Sequence, residues 1–280
     1  MITDSLTNTV YFSDKLPQKC PILNKSITEA MRKHNIPYAY LSETKDIWCR
    51  DYMPIQIEKD LFGFYKYTPD YLDDPYGRKI QTDNLKVLQA EANHLDDLLQ
   101  KLTKIDLVMD GGNVVKCGDT VVMTDKVFVA NNDKTHDKVE GILHDAFQCD
   151  ILFLPWDKEE KYGHSDGIVH YVGNGKILMT NYGDFSTYYF DKYRKILDKR
   201  FETITLKYKV QRFRKRSWSY INFLQVKNLI LVPQLGTEED EQALEQIRDT
   251  FPECEVIGVF ALEAVRRGGA LNCISWNVAI

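Results

Sequence analysis

One pattern constrains the fold more than any other in this chain of 280 residues: a helix, a short apolar strand and a polar cluster recur five times. Helical patterns begin near Ser26, Leu85, Thr135, Thr187 and Glu238, a recurrence of about fifty to sixty residues. Each is followed by an apolar strand at 37–41, 105–109, 151–154, 201–206 and 255–260. After each strand stands a chemically loaded segment: Trp48-Cys49-Arg50-Asp51, Asp110-Gly111-Gly112-Asn113, Gly163-His164-Ser165-Asp166, Ser219-Tyr220-Ile221-Asn222 and Gly268-Gly269-Ala270-Leu271-Asn272-Cys273. Equivalent positions of a repeat lie at equivalent places in space. Units arranged around an axis would therefore bring these segments to one site.

The helices read as one-sided. Ser26-Ile27-Thr28-Glu29 has the spacing of a capping box. Leu88, Ala92, Leu95, Leu99 and Leu102 fall on one apolar face, and Val139, Ile142, Leu143 and Phe147 repeat it, as do Leu244, Ile247 and Phe251. After each of the first four polar segments comes a hairpin pattern whose turn carries Gly, Asn, Asp or Lys, such as Gly173-Asn174-Gly175. The fifth unit has only 274–280 left, and Thr7 to Phe12 at the other terminus supplies the missing strand. Pairing first and last strands closes a ring and hides sheet edges that would invite aggregation. The expectation is one α/β domain over 1–280, a five-unit pseudo-symmetric α/β propeller. The segment 68–83, rich in Asp, Tyr and Pro, reads as an insertion able to act as a lid.

Composition narrows the function. The chain is 44% apolar and 28% charged, and nowhere approaches the roughly 20 apolar residues that span a bilayer. Residues 1–10 lack the basic start and apolar run of a signal peptide, so a cytoplasmic protein with reduced thiols and no membrane partner is expected. A net charge of −5 argues against nucleic acid as the main partner and suits a cationic substrate. The one basic run, Arg212-Phe213-Arg214-Lys215-Arg216, reads most simply as a solvated strand face. His164 and Asp166 lack a third and fourth ligand of compatible spacing, so neither a metal nor another cofactor is expected. A homo-oligomer stays open.

Together the polar segments offer a thiol (Cys273), an imidazole (His164), three carboxylates (Asp51, Asp110, Asp166), an amide (Asn222) and an indole (Trp48). A thiol beside an imidazole makes a nucleophile with its acid/base. Carboxylates around that thiol would raise its pKa, which suits catalysis only if the substrate brings the positive charge. A guanidinium does so: it is planar and cationic, and its donors match bidentate carboxylates. Trp48 would add a stacking wall worth roughly 0.5 to 2 kcal/mol. Each residue also has an ordinary reading. Cys273 taken alone is a buried thiol, Asp51 and Asp166 are turn or salt-bridge residues, and His170 alternates within a strand. Arg50 is a structural ion partner, and the glycine pairs open no helix. Position in the repeat series favours chemistry for Cys273, His164, Asp51 and Asp166.

These strings, with Pro54, Phe223 and Val232-Pro233-Gln234, resemble the guanidine-modifying enzymes of the five-unit propeller fold. They are nearest to the agmatine deiminase and bacterial peptidylarginine deiminase branch, and the likeness covers most of the chain. The resemblance implies that Cys273 attacks the guanidinium carbon. His164 then protonates departing ammonia and activates water against a thiouronium. Asp51 and Asp166 would grip guanidinium nitrogens, Asp110 would orient His164 or hold substrate, and Asn222 would shape the pocket. Relatives acting on agmatine usually carry a third glycine and a histidine before the nucleophile. Here those places hold Ala270 and Asn272, Trp276 stands where glutamine is common, and Met53 replaces glycine before Pro54. Asp110 stands where many relatives have Glu. These departures bear on the substrate more than on the reaction class. Agmatine stands slightly ahead of free arginine, with peptide-linked arginine open; an amidinotransferase of the same fold and a non-catalytic guanidinium-binding protein are the alternatives. Arg212, Arg214 or Arg216 is the expected partner of a substrate carboxylate.

Overall fold

The computed structural model describes residues 1–91, 101–210 and 216–280. Its strands form five three-stranded sheets. The strand β1 (Thr9–Ser13) runs parallel to β2 (Tyr38–Leu41). The second sheet holds β3 (Ile55–Glu58), β4 (Leu61–Lys66) and β5 (Lys101–Val108), and the third β6 (Val115–Lys116), β7 (Thr120–Thr124) and β8 (Asp150–Leu154). The fourth holds β9 (Val169–Gly173), β10 (Lys176–Met179) and β11 (Glu202–Thr205), and the fifth β12 (Leu224–Val226), β13 (Leu229–Gln234) and β14 (Glu255–Phe260). Finally β15 (Ser275–Val278) returns to β1, pairing antiparallel from Thr9↔Val278 to Phe12↔Ser275. The first and last strands thus close the ring of units, a five-unit propeller.

Each sheet repeats one logic. Its first two strands pair antiparallel, and the middle strand pairs parallel with the third. A parallel neighbour requires a crossover. The helices α1 (Pro21–Lys33), α2 (Asn84–Ala90), α3 (His136–Phe147), α4 (Thr187–Leu197) and α5 (Glu239–Thr250) stand in the five crossovers. Side-chain caps start three of them: Asp83 accepts from Leu85 and Lys86 amides, Thr135 from Lys138 and Ser186 from Tyr189. The apolar stripes face inward, with Val139, Leu143 and Phe147 buried on α3 and Leu244 and Ile247 on α5.

Two sequence expectations are corrected. Ser26 does not open a helix: α1 begins five residues earlier at Pro21, and the Ser26 hydroxyl donates to the Ile22 carbonyl inside it. A proline at the first helical position costs no hydrogen bond there, and that start signal outweighs the capping-box spacing. Leu102 belongs to β5, 47% exposed, rather than to a helix face. The stripe positions Ala92, Leu95 and Leu99 lie outside the described residues, as do Arg212 and Arg214.

Beneath the loops that join the sheets, every unit contributes one buried polar side chain from its first strand: Gln56, Lys116, His170, Gln225 and Asn277. His170 Nε2 lies 3.0 Å from Gln225 Oε1, Asn277 Nδ2 donates to the Gln225 carbonyl, and Lys116 pairs with Asp4 at 3.0 Å. His170 is therefore structural, as its alternation suggested. The cysteines, six in the sequence, are all free. No helix among the described residues is long and apolar enough to cross a membrane.

Candidate active site

All five polar segments connect the third strand of one sheet to the first strand of the next, so they gather at one end of the units. Most are tight helical turns rather than open loops: Cys49–Tyr52, Gly111–Asn113, Ser165–Gly167 and Ser217–Ile221. Hydrogen bonds tie each to its successor. The Gly112 amide donates to Asp51 Oδ1 at 3.2 Å, and the Ser165 amide to Asn113 Oδ1 at 3.3 Å. Asn222 Nδ2 donates to the Asp166 carbonyl at 3.3 Å, and the Asn272 amide to the Asn222 carbonyl at 3.1 Å. The Arg50 amide then closes the circuit on the Cys273 carbonyl at 3.1 Å. The repeat thus carries its own ring of bonds, and the chemical residues hang from it.

Within that ring the expected residues meet. His164 Nε2 lies 3.1 Å from Asp110 Oδ2, and its Nδ1 lies 3.7 Å from Asp51 Oδ1. The Cys273 thiol is 3.2 Å from Asn222 Oδ1 and 3.8 Å from Asp166 Oδ2. Asn222 Oδ1 also accepts from the Cys273 amide at 3.3 Å, so one side chain fixes both ends of the cysteine. Cys273, His164, Asp51, Asp166, Asn222 and Trp48 line a common cavity of about 1150 Å³. Asp110 stands behind His164 and lines a separate cavity of about 310 Å³. Its position makes it a partner of the imidazole rather than a wall of the main cavity.

Glycine is required where these side chains crowd the backbone. A Cβ on Gly112 would lie 2.6 Å from His164 Nδ1 and 2.7 Å from Asp51 Oδ1. One on Gly269 would lie 2.9 Å from Cε3 of Trp48, so the indole packs on bare backbone. The insertion forms part of the cavity wall through Tyr71, Leu72, Asp74, Tyr76, Gly77 and Ile80. The Tyr71 ring stands 6.0 Å from the His164 ring, and Asp70 pairs at 2.9 Å with the buried Lys126.

Electrostatics follow from three buried carboxylates; among the described residues the His164 imidazole is the basic side chain within 4.0 Å of two of them, Asp110 and Asp51. Burial, with Asp110 and Asp166 adding repulsion, raises the Asp51 carboxyl to about 8 although His164 opposes it. Burial works against charging His164, yet Asp51 and the Asp110 hydrogen bond raise it to about 9. Burial and the charges of Asp166 and Asp51 push the Cys273 thiol well above its ordinary value, against weaker help from the Ala270 amide and Asn222. Among the described residues, no Lys or Arg pairs with Asp51, Asp110 or Asp166. Among the described residues no group of three or more His, Cys, Asp or Glu side chains is arranged to hold a metal ion.

Residues 16–278 match the family model for Porphyromonas-type peptidyl-arginine deiminases. The chain belongs to that family. It is a family of guanidine-modifying hydrolases acting on C–N bonds, and the chain is an enzyme of that class. A curated relative from Enterococcus faecalis, named "Putative agmatine deiminase", is 24% identical over 284 residues, covering 84% of this chain and 75% of that protein. Alignments to further curated relatives span 56% to 58% of their lengths. The structure of C. jejuni agmatine deiminase shares the fold with a TM-score of 0.77 at 17% identity, over 100% of this chain and 96% of that one. An amidinotransferase from Microseira wollei in the saxitoxin biosynthetic pathway also shares it, with a TM-score of 0.66 at 12% identity over 99% and 96%.

Sequence reasoning noted Asn272 as a departure beside Cys273 and Arg50 as a structural partner, but not the contacts they make in the candidate site. Asn272 Nδ2 donates to Asp166 Oδ2 at 2.8 Å, and the buried Arg50 guanidinium donates to Asn272 Oδ1 at 2.8 Å. Both stand inside the quoted strings, but only their place beside a nucleophile or a carboxylate marked them. Arg216 is exposed; among the described residues the arginine lining the cavity is Arg267.

Proposed function

We propose that the chain is a deiminase that converts a guanidino group to a ureido group and ammonia through a covalent adduct on Cys273. The observation that carries this reading is a thiol and an imidazole facing one cavity with the carboxylates of Asp51 and Asp166, where among the described residues His164 is the one basic group within 4.0 Å of either, so a second cation is called for. A guanidinium supplies that cation. Asp51 and Asp166 take its nitrogens in charge-assisted bonds worth roughly 1.5 to 3 kcal/mol each. The positive charge lowers the cost of ionising both the Asp51 carboxyl and the Cys273 thiol, so the nucleophile forms as substrate arrives.

The thiolate then adds to the guanidinium carbon, forming a C–S bond and a tetrahedral centre. His164, protonated at neutral pH and held by Asp110, gives its proton to one nitrogen, and the C–N bond breaks with loss of ammonia. A planar thiouronium remains on Cys273. The neutral imidazole next takes a proton from water, whose oxygen bonds to the same carbon. Breaking the C–S bond returns the thiolate, and the hydroxyl proton passes to bulk water as the carbonyl of the ureido product forms. Asn222 accepts from the Cys273 backbone amide and so holds that residue's backbone in place for both additions. The small cationic guanidino compounds agmatine and arginine are the first substrates to try, with peptide-linked arginine beside them. No part of the chemistry described calls on a metal or nucleotide.

The amidinotransferase reading draws its support from the shared fold of the Microseira wollei structure. It differs only in the acceptor, an amine in place of water. The test is a panel of guanidino compounds assayed for ammonia and ureido product, with Cys273→Ser as control. Ammonia release that falls at least about a thousandfold in the variant is expected. Amidino transfer to an added amine without ammonia would replace the hydrolase with the transferase. Guanidinium binding without either product would leave a binding protein.

A further inference from the structure

We propose that Arg50 and Asn272 are positioning residues that act through Asp166: Arg50 fixes which way the Asn272 amide faces, and Asn272 holds Asp166 against the nucleophile. An asparagine side chain can present oxygen or nitrogen to a neighbour, and here both ends are committed. The Arg50 guanidinium donates to Asn272 Oδ1 at 2.8 Å and to its backbone carbonyl at 3.4 Å. An arginine cannot accept, so the oxygen must face it. The amide nitrogen is thereby turned to Asp166 Oδ2, 2.8 Å away, the same oxygen that stands 3.8 Å from the Cys273 sulfur.

Arg50 itself is built for this task. It is 9% exposed, and its guanidinium meets amide and carbonyl oxygens only: Asn272 twice and Asn277 Oδ1 once. Among the described residues no carboxylate lies within 4.0 Å of it as an ion-pair partner. A buried cation held by neutral acceptors keeps its orienting power without neutralising the carboxylates that await substrate. Asn277 in turn donates to the Gln225 carbonyl at 2.9 Å, which seats the arginine on the polar layer beneath the site. The relay therefore runs from the core to the reacting sulfur: Asn277, Arg50, Asn272, Asp166, Cys273.

The consequence concerns Asp166. The amide donor spreads the carboxylate's charge away from the thiol and pins the oxygen in one place. Without it, the full charge faces the sulfur and the thiolate is harder to form.

The proposal takes Cys273 as the nucleophile described above, but its test needs no turnover. The rate of alkylation of Cys273 by iodoacetamide is followed against pH, with the modified peptide identified by mass spectrometry. Asn272→Ala is expected to move the midpoint upward by about half a pH unit or more, within the roughly one to two units that a lost charge-assisted bond could reach. Arg50→Gln, which frees the amide to turn, is expected to shift it in the same direction. Asp166→Asn should lower the midpoint, and adding Asn272→Ala to it should produce no further shift, because the effect passes through Asp166. An unchanged midpoint in Asn272→Ala, with only a lower melting temperature, would reduce the pair to packing and overturn the proposal. A shift that persists in the Asp166→Asn background would do the same. Should the alkylation shifts hold while no guanidino compound releases ammonia, the deiminase reading fails and the relay stands.

Discussion

Two aspartates of this chain, Asp51 buried and Asp4 half-buried, have carboxyls shifted in opposite directions. Asp4, in the polar layer beneath the site, is opposed by burial, yet Lys116 at 3.0 Å, with Arg50 and His170 beyond it, holds its carboxyl far below the usual range. Asp51, in the site, is raised to about 8 by burial and by two neighbouring carboxylates, with only His164 against them. The residue type is the same, and both are drawn at least partly out of water. What differs is the origin of the counter-charge. In the supporting layer Lys116 supplies it; in the site His164 supplies part, and on the function proposed above a guanidinium would supply the rest. Such a vacancy costs stability and is a reason to read function there.

The sharpest way to break this comparison is to neutralise each aspartate in turn. Asp51→Asn is expected to lower kcat/KM between about tenfold and a few hundredfold, the range for one charge-assisted bond, while raising the melting temperature near neutral pH because a buried carboxyl's penalty is removed. Asp4→Asn should do the reverse. It leaves Lys116 buried without its partner, and a loss of about 2 to 3 kcal/mol in urea denaturation is expected, with activity of the folded fraction nearly intact. Equal effects of both substitutions on activity would erase the distinction between layer and site.

Next in size is the dependence of stability on pH. Asp51 has a folded pKa above its free value, so its burial penalty enters as pH rises past 3.8 and is complete above about 8. His164 is also raised, so its stabilising contribution is full below 6.5 and is lost as pH passes about 9. The two losses run together between pH 6.5 and about 8, and that of His164 continues alone to about 9. The carboxyl of Asp4 is depressed, so its contribution is present above 3.8 and lost as pH falls below it. The pH dependence of the melting temperature should therefore flatten between about pH 4 and 8 in Asp51→Asn and below about pH 4 in Asp4→Asn.

The smallest expected effect is on the imidazole alone. By NMR titration, His164 should lose about one unit of pKa in Asp51→Asn, and the Asp110→Asn protein should show a comparable fall, since both carboxylates favour the charged ring. A ring indifferent to both would separate it from the acid/base role.

Much of this was legible in the chain because the repeat writes each element five times. The strand 255–260 and the helix following Thr135 are found where periodicity predicts them, and the ring closes between the strands expected. Ser26 was misread because capping-box spacing and a mid-helix Ser-x-x-Glu look alike until the proline start is weighed. Leu102 was misread because alternation in β5 overlaps a helical spacing. In the site, Cys273, His164 and the aspartates announce themselves by residue type. Asn272 and Arg50 do not: their contribution lies in which neighbour each atom faces, and sequence spacing carries no such information.

The most direct test of the missing counter-charge is proton release on binding. Titration calorimetry of a guanidino ligand into Cys273→Ser, repeated in two buffers of different ionisation enthalpy, counts the protons that leave or enter. Near pH 7 a net release is expected, from an Asp51 carboxyl that gives up its proton to grip the cation, and it should shrink as pH passes about 8. No release at pH 7, or proton uptake, would mean that the site was charged and ready before the ligand came, contrary to a cavity that waits for its substrate's charge.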